Sequence, residues 1–397
     1  MTFRTLDRVV YRLVIGSALS SCVLSAPLAS AALSARGALG QNSAPKSAAV
    51  EDVQRILAED KGKPDAEVAG QLSGLVLRER MSDATLKSLG ESLPGTMTRS
   101  ALVALADASV FLGSAAADVL SLAPPDLNHQ RRMIAMTVDY LGKTLPKLPD
   151  FYAERTTIRY DGDLRSVRGA GATSQDDSSW REVGASRVVV TYRDGREVID
   201  TRGWGKYSPE DKGLITRGTF GPMLSTVIVD AARGEMRWDH WERVGAGTLA
   251  VFHYSVPQNR SHYSVAFQGP SSDMPSSDMG DTENATGYHG EVAIDPATGT
   301  ILRLTVQADP AFGSPVFRGD IMVEYGPVEI GGKTYTCPIR SVSISLTSTG
   351  LLIGMGPFGR PAHNPEDTLL NDVTFDDYHQ FRSDSRILTG DIPAPHP

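Results

Sequence analysis

The feature that most constrains the fold is a change in hydrophobic periodicity near Pro149. Before it, apolar residues recur every three or four positions, as in residues 50–57, which is typical of amphipathic helices. After it, apolar and polar residues alternate, as in residues 341–346, which is typical of strands. A chain that forms helices first and strands afterwards folds as an α+β protein, so this is the fold class that the sequence predicts.

Breaks in composition divide the chain of 397 residues into five expected parts. Residues 1–31 are predicted to be an export signal and residues 32–47, rich in Ala, Ser and Gly, a flexible linker. A bundle of short helices is expected over 48–148, in which Asp65 can cap the second helix and Asp126 precedes a longer last helix. An antiparallel β domain is expected over 149–388. The Pro-rich residues 389–397 are expected to be a disordered tail.

The N-terminus has the pattern of a cleaved signal peptide. Arg4, Arg8 and Arg12 precede the apolar stretch 13–28, and residues 29–31 form a small-x-small cleavage site. This predicts an exported protein, periplasmic or secreted. Later apolar runs fall short of the roughly 18 residues that span a bilayer, so no transmembrane span is expected in the mature chain.

Cys22 offers an alternative to simple export. Residues 19–22 (Leu-Ser-Ser-Cys) fit a lipobox, so the chain is alternatively a lipoprotein anchored to a membrane through a lipidated Cys22. If cleavage follows Ala31 instead, Cys337 remains as a single cysteine and cannot form an intramolecular disulfide. Its strand-like surroundings predict a buried thiol.

Short turns join the predicted strands. Asp194-Gly195 and Gly331-Gly332 each separate two alternating runs, which indicates hairpins and an antiparallel meander. The stretch 295–299 (Asp-Pro-Ala-Thr-Gly) could be mistaken for a small ligand site, but its residues suit a turn between two strands. Residues 219–234 break the alternation with apolar residues at helical spacing, which predicts a helix that covers the sheet. Their β-branched residues leave a strand as the alternative.

Net charge and one deceptive motif exclude two classes of ligand. The net charge is −8 without a basic stripe, which argues against nucleic acid as a partner. Gly354, Gly356 and Gly359 match a dinucleotide-binding pattern, but Pro357 and Pro361 fall where its helix must begin. The stretch is therefore interpreted as a flexible loop, and no cofactor is expected.

Sequence motifs for metal binding and catalysis are missing. His240, His253, His262 and His289 lie in strand-like segments of unknown register, and no recognised zinc spacing connects them, so no metal site is predicted. No G-x-S-x-G motif occurs, and no catalytic residue is assigned. Asp239 lies between two tryptophans, an arrangement that a sugar cleft could use, but no partner carboxylate is identifiable.

Six aromatic residues are the candidate ligand-binding residues. They fall within thirty positions on three predicted adjacent strands: Trp238, Trp241, Phe252, Tyr254, Tyr263 and Phe267. Either they fill the core of an ordinary sheet, or a curved, partly closed sheet holds them around an apolar cavity suited to an acyl chain.

Three stretches of the β domain resemble the lipoprotein-localisation (LolA/LolB-like) carriers and related outer-membrane lipoprotein-sorting proteins. They are AIDPATGTILRLTV, VEYGPVEIGGKTYTCPIRSVSI and FDDYHQFRSDSRIL, within residues 151–388. The resemblance implies an antiparallel half-barrel with a covering helix. The whole chain is similar to a bacterial envelope family that joins a helical region to such a domain. No family residue is carried over to a position in this chain.

Three functions remain open at this stage. The first is a non-enzymatic carrier or binder of lipid or of the acyl chain of a lipoprotein. The second is an envelope scaffold whose helical region docks a protein partner, and the third is a hydrolase of envelope polymers. A continuous apolar cavity in the β domain would support the carrier, whereas a sheet filled by its own side chains would favour the scaffold.

Overall fold

The computed structural model describes residues 11–16, 46–162, 180–199, 213–215, 219–245, 247–268, 284–311, 316–348 and 366–381. Within these ranges the protein is a mixed α+β structure that contains a large antiparallel sheet. The predictions for Cys22, the loop with Gly354, Gly356 and Gly359, and the tail 389–397 lie outside the described residues, as does most of the linker.

Helices occupy mainly the first part of the described chain. In chain order they are α1 Val50–Glu59, α2 Asp65–Ser73, α3 Asp83–Gly90, α4 Thr96–Ala108, α5 Leu127–Thr144 and α6 Pro222–Arg233. A short 3₁₀ turn, Leu145–Lys147, follows α5, and another, Gln258–Arg260, lies in the part of the chain after α6. In the part of the chain that the structure describes, none of the helices is long and apolar enough to cross a membrane.

Strands make up most of the remainder. In chain order they are β1 Tyr11–Gly16, β2 Lys46–Ala48, β3 Leu75–Leu77, β4 Val119–Leu120, β5 Phe151–Gly162, β6 Trp180–Arg193, β7 Arg196–Ile199, β8 Gly213–Ile215, β9 Glu235–Val244, β10 Gly247–Val256, β11 Tyr263–Gln268, β12 Asn284–Ala285, β13 Gly287–Ile294, β14 Ile301–Asp309, β15 Val316–Ile330, β16 Lys333–Ser348 and β17 Glu366–Gln380.

The main sheet has eleven strands in the order β4-β9-β10-β13-β14-β15-β16-β17-β5-β6-β7. All its pairings are antiparallel. Strands β13 to β17 pair in chain order, which confirms the predicted meander, and β5 then joins β17. Because β4 and β7 are edges that do not pair with each other, the sheet is not closed.

The predicted hairpin turns form where glycine permits a positive φ. Asp194 and Gly195 have φ values of 51° and 76° between β6 and β7, and Gly331 and Gly332 have 60° and 78° between β15 and β16. Two consecutive residues with positive φ match the right-handed twist of paired strands. The two hairpin predictions are therefore confirmed.

Strand register gives the main sheet two distinct faces. Phe252 pairs with Val292, Val292 with Leu304, and Leu304 with Val323, so these side chains share one face, called here the inner face. Helices α5 and α6 pack against it. The neighbouring positions point the opposite way and define the outer face, on which Arg303, Glu324 and Arg340 are successive cross-strand neighbours.

Helices α1 to α4 form their own core and dock on the outer face. Val53, Leu72 and Leu102 are almost completely buried among the helices. Ala104 of α4 and the following Val110 pack instead with residues of the sheet. The outer-face residues in this contact are Tyr160, Met322, Val342, Ile344 and Leu370.

Helix α5 differs from the prediction of a single bundle. Its start is as expected, because Asp126 accepts a hydrogen bond from the His129 backbone N–H at 2.8 Å and caps the helix. Its apolar residues Met133 and Leu141, however, pack with α6 and the inner face and not with α1 to α4. The sequence pattern defines an apolar helix face but not the surface that covers it.

Strand β11 also differs from its predicted place. It belongs to a separate four-stranded sheet in the order β12-β11-β1-β8, so β10 and β11 are not adjacent strands. In this sheet β1, which lies within the predicted export signal, pairs with both β11 and β8. Strand β8 contacts β16 and β17 of the main sheet. Cleavage after Ala31 would remove the strand that joins β8 to β11.

Candidate functional site

Helix α6 covers the inner face with one apolar side. Met223, Leu224, Val227, Ile228 and Ala231 are each at most 5% exposed and recur at helical spacing. The helix begins after Gly221 and ends at Gly234, whose N–H donates to the carbonyl of Asp230 at 2.8 Å. The predicted covering helix is therefore present.

Three of the six candidate aromatic residues are core residues in this structure. Phe252, Tyr254 and Tyr263 are 1–3% exposed. Tyr254 and Tyr263 both contact the ring of Tyr288, at centroid distances of 5.9 and 5.2 Å. Trp238 meets Phe252 edge-on at 5.4 Å. Because almost none of the surface of these side chains is exposed, they fill the interior and do not border an open cavity.

The two tryptophans lie at the margin of this interior. Trp238 and Trp241 are partly buried and contact each other in a T-shaped arrangement at 4.7 Å. Met136, Tyr140 and Met236 are likewise partly buried against the same core, and we call these five residues the aromatic rim. The Trp241 indole N–H donates to the carbonyl of Ala123 at 3.0 Å. Phe267 lies on β11, and its side chain falls outside what the structure describes.

The turn at 295–299 is structural, as predicted, and it also positions α5. The Asp295 carboxylate accepts hydrogen bonds from the Ala297 N–H and the Thr298 hydroxyl, both at 2.8 Å. Gly299 has a φ of 74°, and a Cβ atom there would lie 2.6 Å from the backbone of Met136. Since only glycine allows this approach, the turn positions α5, which contributes Met136 and Tyr140 to the aromatic rim.

A buried carboxylate fastens the C-terminal end of α6. Asp230 is 1% exposed and accepts hydrogen bonds from the His262 backbone N–H at 2.9 Å and from the Tyr288 hydroxyl at 3.0 Å. The His262 ring nitrogen Nδ1 lies 2.7 Å from its other oxygen. Asp230 thus connects the covering helix to β13 and to the segment before β11.

On the outer face, Glu242 lies between two arginines. Arg303 donates two hydrogen bonds to its carboxylate at 2.7 and 2.8 Å, and Arg80 of the helical region donates one at 2.5 Å. Burial alone would raise the pKa of Glu242, but the hydrogen bonds and charges of these partners lower it overall. We call these three residues the Glu242 network.

A second charge cluster lies further along the outer face. Arg340 donates to Asp107 and to Asp83, the latter at 2.7 Å, and its Nε donates to Asp372 at 3.1 Å. Burial raises the pKa of Asp107 and that of the nearby Glu324, and neighbouring carboxyl groups raise both further against the charge of Arg340. These five residues are called the Arg340 network.

Sequence reasoning missed both networks. Arg80 and Glu242 are 162 positions apart, and Arg340 and Asp107 are 233 apart, so no local pattern connects them. By contrast, the predicted buried thiol is confirmed: Cys337 is 1% exposed, and burial raises its pKa to about 12. Such a thiol is a packing residue rather than a nucleophile.

The four histidines do not converge on one point. His262 faces Asp230, His289 faces Asp309 at 3.0 Å, and His240 faces Asp239 at 2.7 Å. His253 lies on the outer face near two carboxylates, which are described below.

Comparisons with known proteins add little. No family model and no curated protein matches the chain. Among solved structures, a LolA superfamily protein from Nitrosomonas europaea is similar over 66% of this chain and 97% of its own, with 8% sequence identity and a TM-score of 0.24. Two chains at so low a score need not share a fold, so this likeness carries no argument about function.

Proposed function

We propose that the protein is a non-enzymatic binder of acyl chains, of lipid or of lipidated protein, in the cell envelope. The observation that carries the proposal is the aromatic rim, where Trp238 and Trp241 continue the apolar inner face outward beside α5. Under this proposal the structure is a closed form, in which α6 covers the apolar side chains of the inner face that an acyl chain would contact.

The physical basis is the exchange of one apolar partner for another. The inner face and α6 bury apolar side chains against each other, and an acyl chain recovers about 0.8 kcal/mol for each methylene that it buries. A chain of ordinary length could therefore compensate for moving α6. The two glycines that bound α6, Gly221 and Gly234, support such movement, and Asp230 is the polar contact that has to yield.

The charged groups support a binding role over catalysis. The carboxylates and arginines of the Glu242 and Arg340 networks face one another across the contact between the helices and the sheet. Groups that neutralise each other inside such a contact are not free to act on a substrate in a cleft.

A second function, an envelope scaffold, is favoured by the packing of Phe252, Tyr254 and Tyr263. A sheet whose aromatic side chains fill its own interior needs no ligand. In that case the helical region α1 to α4, held on the outer face, would dock a protein partner.

Lipid binding can be tested directly on protein purified from its own host. Native mass spectrometry should detect bound lipid, and added lipid should displace a fluorescent fatty acid. Trp238→Ala and Trp241→Ala should weaken binding of that probe. The control is Tyr152→Ala, an aromatic residue 38% exposed on β5, which should leave it unchanged.

The two candidate functions give opposite results. Protein recovered without lipid and unable to bind the fatty acid would overturn the acyl-chain proposal and favour the scaffold. Equal loss of binding in the rim variants and in Tyr152→Ala would show non-specific adsorption of the probe and would likewise count against it.

A further inference from the structure

Three potential metal ligands meet on the outer face at β9, β10 and β13. The His253 Nε2 atom lies 3.3 Å from Glu291 Oε1 and 3.7 Å from Asp239 Oδ2. One donor atom from each residue lies within 4.8 Å of the other two. A tetrahedral ion with bonds of about 2.0–2.1 Å holds its donor atoms about 3.3–3.4 Å apart. Small side-chain movements would therefore complete three positions of such a shell.

The backbone brings these residues together in two ways. His253 and Glu291 are direct cross-strand partners of β10 and β13. Asp239 reaches them because the pairing of β9 with β10 shifts by one residue at this point, where Val251 pairs with His240 and Phe252 with Trp238. The extra residue of this β-bulge is Asp239, and bulges of this kind redirect a side chain.

Each carboxylate also has a partner that orients it. The Asp239 Oδ2 atom lies 2.7 Å from His240 Nδ1, and Glu291 Oε2 lies 3.9 Å from an Arg303 nitrogen. The His240 Nε2 atom lies 3.2 Å from the Ser114 hydroxyl of the helical region. Polar groups behind metal ligands in this way restrict the orientation of the ligands.

We infer that His253, Asp239 and Glu291 form a binding site for a divalent transition-metal ion, with zinc as the best match. One imidazole and two carboxylates suit zinc, and three protein ligands leave a fourth position for water. Glu291 is buried enough to be held in place, with 13% of its side chain exposed, while His253 and Asp239 at 38% and 39% leave the site open to ions from solvent. The bound ion would tie β9, β10 and β13 together.

Isothermal titration with zinc chloride tests the site, on full-length protein purified without a polyhistidine tag and treated with chelator. We expect one strong site per chain. His253→Gln, Asp239→Asn and Glu291→Gln should each weaken it at least about tenfold, since even residues behind a metal ligand contribute that much. Zinc should also raise the melting temperature of the wild type by more than that of His253→Gln.

A second histidine–carboxylate pair, between His289 of β13 and Asp309 of β14, supplies the matched control. His289 lies 3.0 Å from Asp309 and is similarly exposed, but no third ligand stands beside it among the described residues. His289→Gln should therefore bind zinc as the wild type does. Absence of a strong site, or a strong site that persists in all three ligand variants, would overturn the inference. Equal loss in His289→Gln would do the same.

Discussion

The two faces of the main sheet hold their helices by different forces. On the inner face, α5 and α6 are held by apolar side chains, by the close approach of Gly299 and by Asp230. On the outer face, an apolar contact at α4 is flanked by the Glu242 and Arg340 networks, which connect α1 to α4 with the sheet. Attachment of the helical region therefore depends on charge, and hence on pH, far more than attachment of the covering helix.

The two outer networks also differ in charge balance. Glu242 has two arginines, Arg80 and Arg303, so its carboxylate stays ionised. Arg340 faces four carboxyl groups, and burial together with their mutual repulsion raises the pKa of Asp107 and that of Glu324. The first network weakens when Glu242 gains a proton, whereas the second weakens when Asp107 and Glu324 lose theirs.

The largest effect is expected on the outer face, for Glu242→Gln. The substitution removes the buried carboxylate that Arg80 and Arg303 share, so the free energy of unfolding should fall by about 3–5 kcal/mol. Urea denaturation measures it. Glu235→Gln, an exposed change on the same strand, should stay within about 0.5 kcal/mol of wild type. Similar values for both variants would show that charge does not hold the helical region.

On the inner face, Gly299→Ala should cost about 2–4 kcal/mol, because it adds a Cβ at positive φ and pushes it against the α5 backbone. Gly332→Ala is the matched control, with a φ of 78° and no atom within 4 Å of the new Cβ. It should cost only the backbone strain of about 1–2 kcal/mol. Equal losses in urea denaturation would mean that the turn does not position α5.

Asp107→Asn should change the pH dependence of stability. Because the folded-state pKa of Asp107 is raised, the folded protein keeps a proton that the unfolded chain releases above about pH 4, and wild-type stability falls as pH rises through the folded-state pKa. The variant cannot titrate, so this fall should be smaller and its relative stability should increase with pH. Glu324 keeps part of the slope.

Melting temperatures measured from about pH 4 to about pH 9 would give this slope. The range begins near the ordinary pKa of a carboxyl group, where the unfolded chain starts to release the proton. Asp376→Asn, an exposed change on β17, should follow the wild type. A slope in Asp107→Asn equal to that of wild type would contradict the proton at Asp107.

The smallest effect is expected for Tyr288→Phe, which removes one hydrogen bond to Asp230 and leaves the ring in place. The free energy of unfolding should fall by about 1 kcal/mol, because one hydrogen bond is lost. If α6 must move to admit an acyl chain, this variant should also take up a fluorescent fatty acid faster, in stopped-flow mixing. Slower uptake would contradict a role of Asp230 in holding α6.

Local features of the fold could be predicted from the sequence. The turns at Asp194-Gly195 and Gly331-Gly332 were identifiable because positive φ restricts which residues fit. Helix α6 followed from apolar spacing across Met223, Val227 and Ala231, and the start of α5 from Asp126. The candidate site was harder to predict from the sequence. The six aromatic residues could be identified as a set, but the sequence did not show that three of them fill the core and that Trp238 and Trp241 belong to the rim.

The sequence by itself determined the order of helices and strands, the turns and the apolar face of each element, because these depend on residues a few positions apart. Only the tertiary structure decided what covers each face. Asp65, expected to cap α2, instead accepts hydrogen bonds from the N–H groups of Met97 and Thr98 and caps α4. Likewise, His253, Glu291 and Asp239 meet only through strand register and a bulge, which periodicity cannot specify.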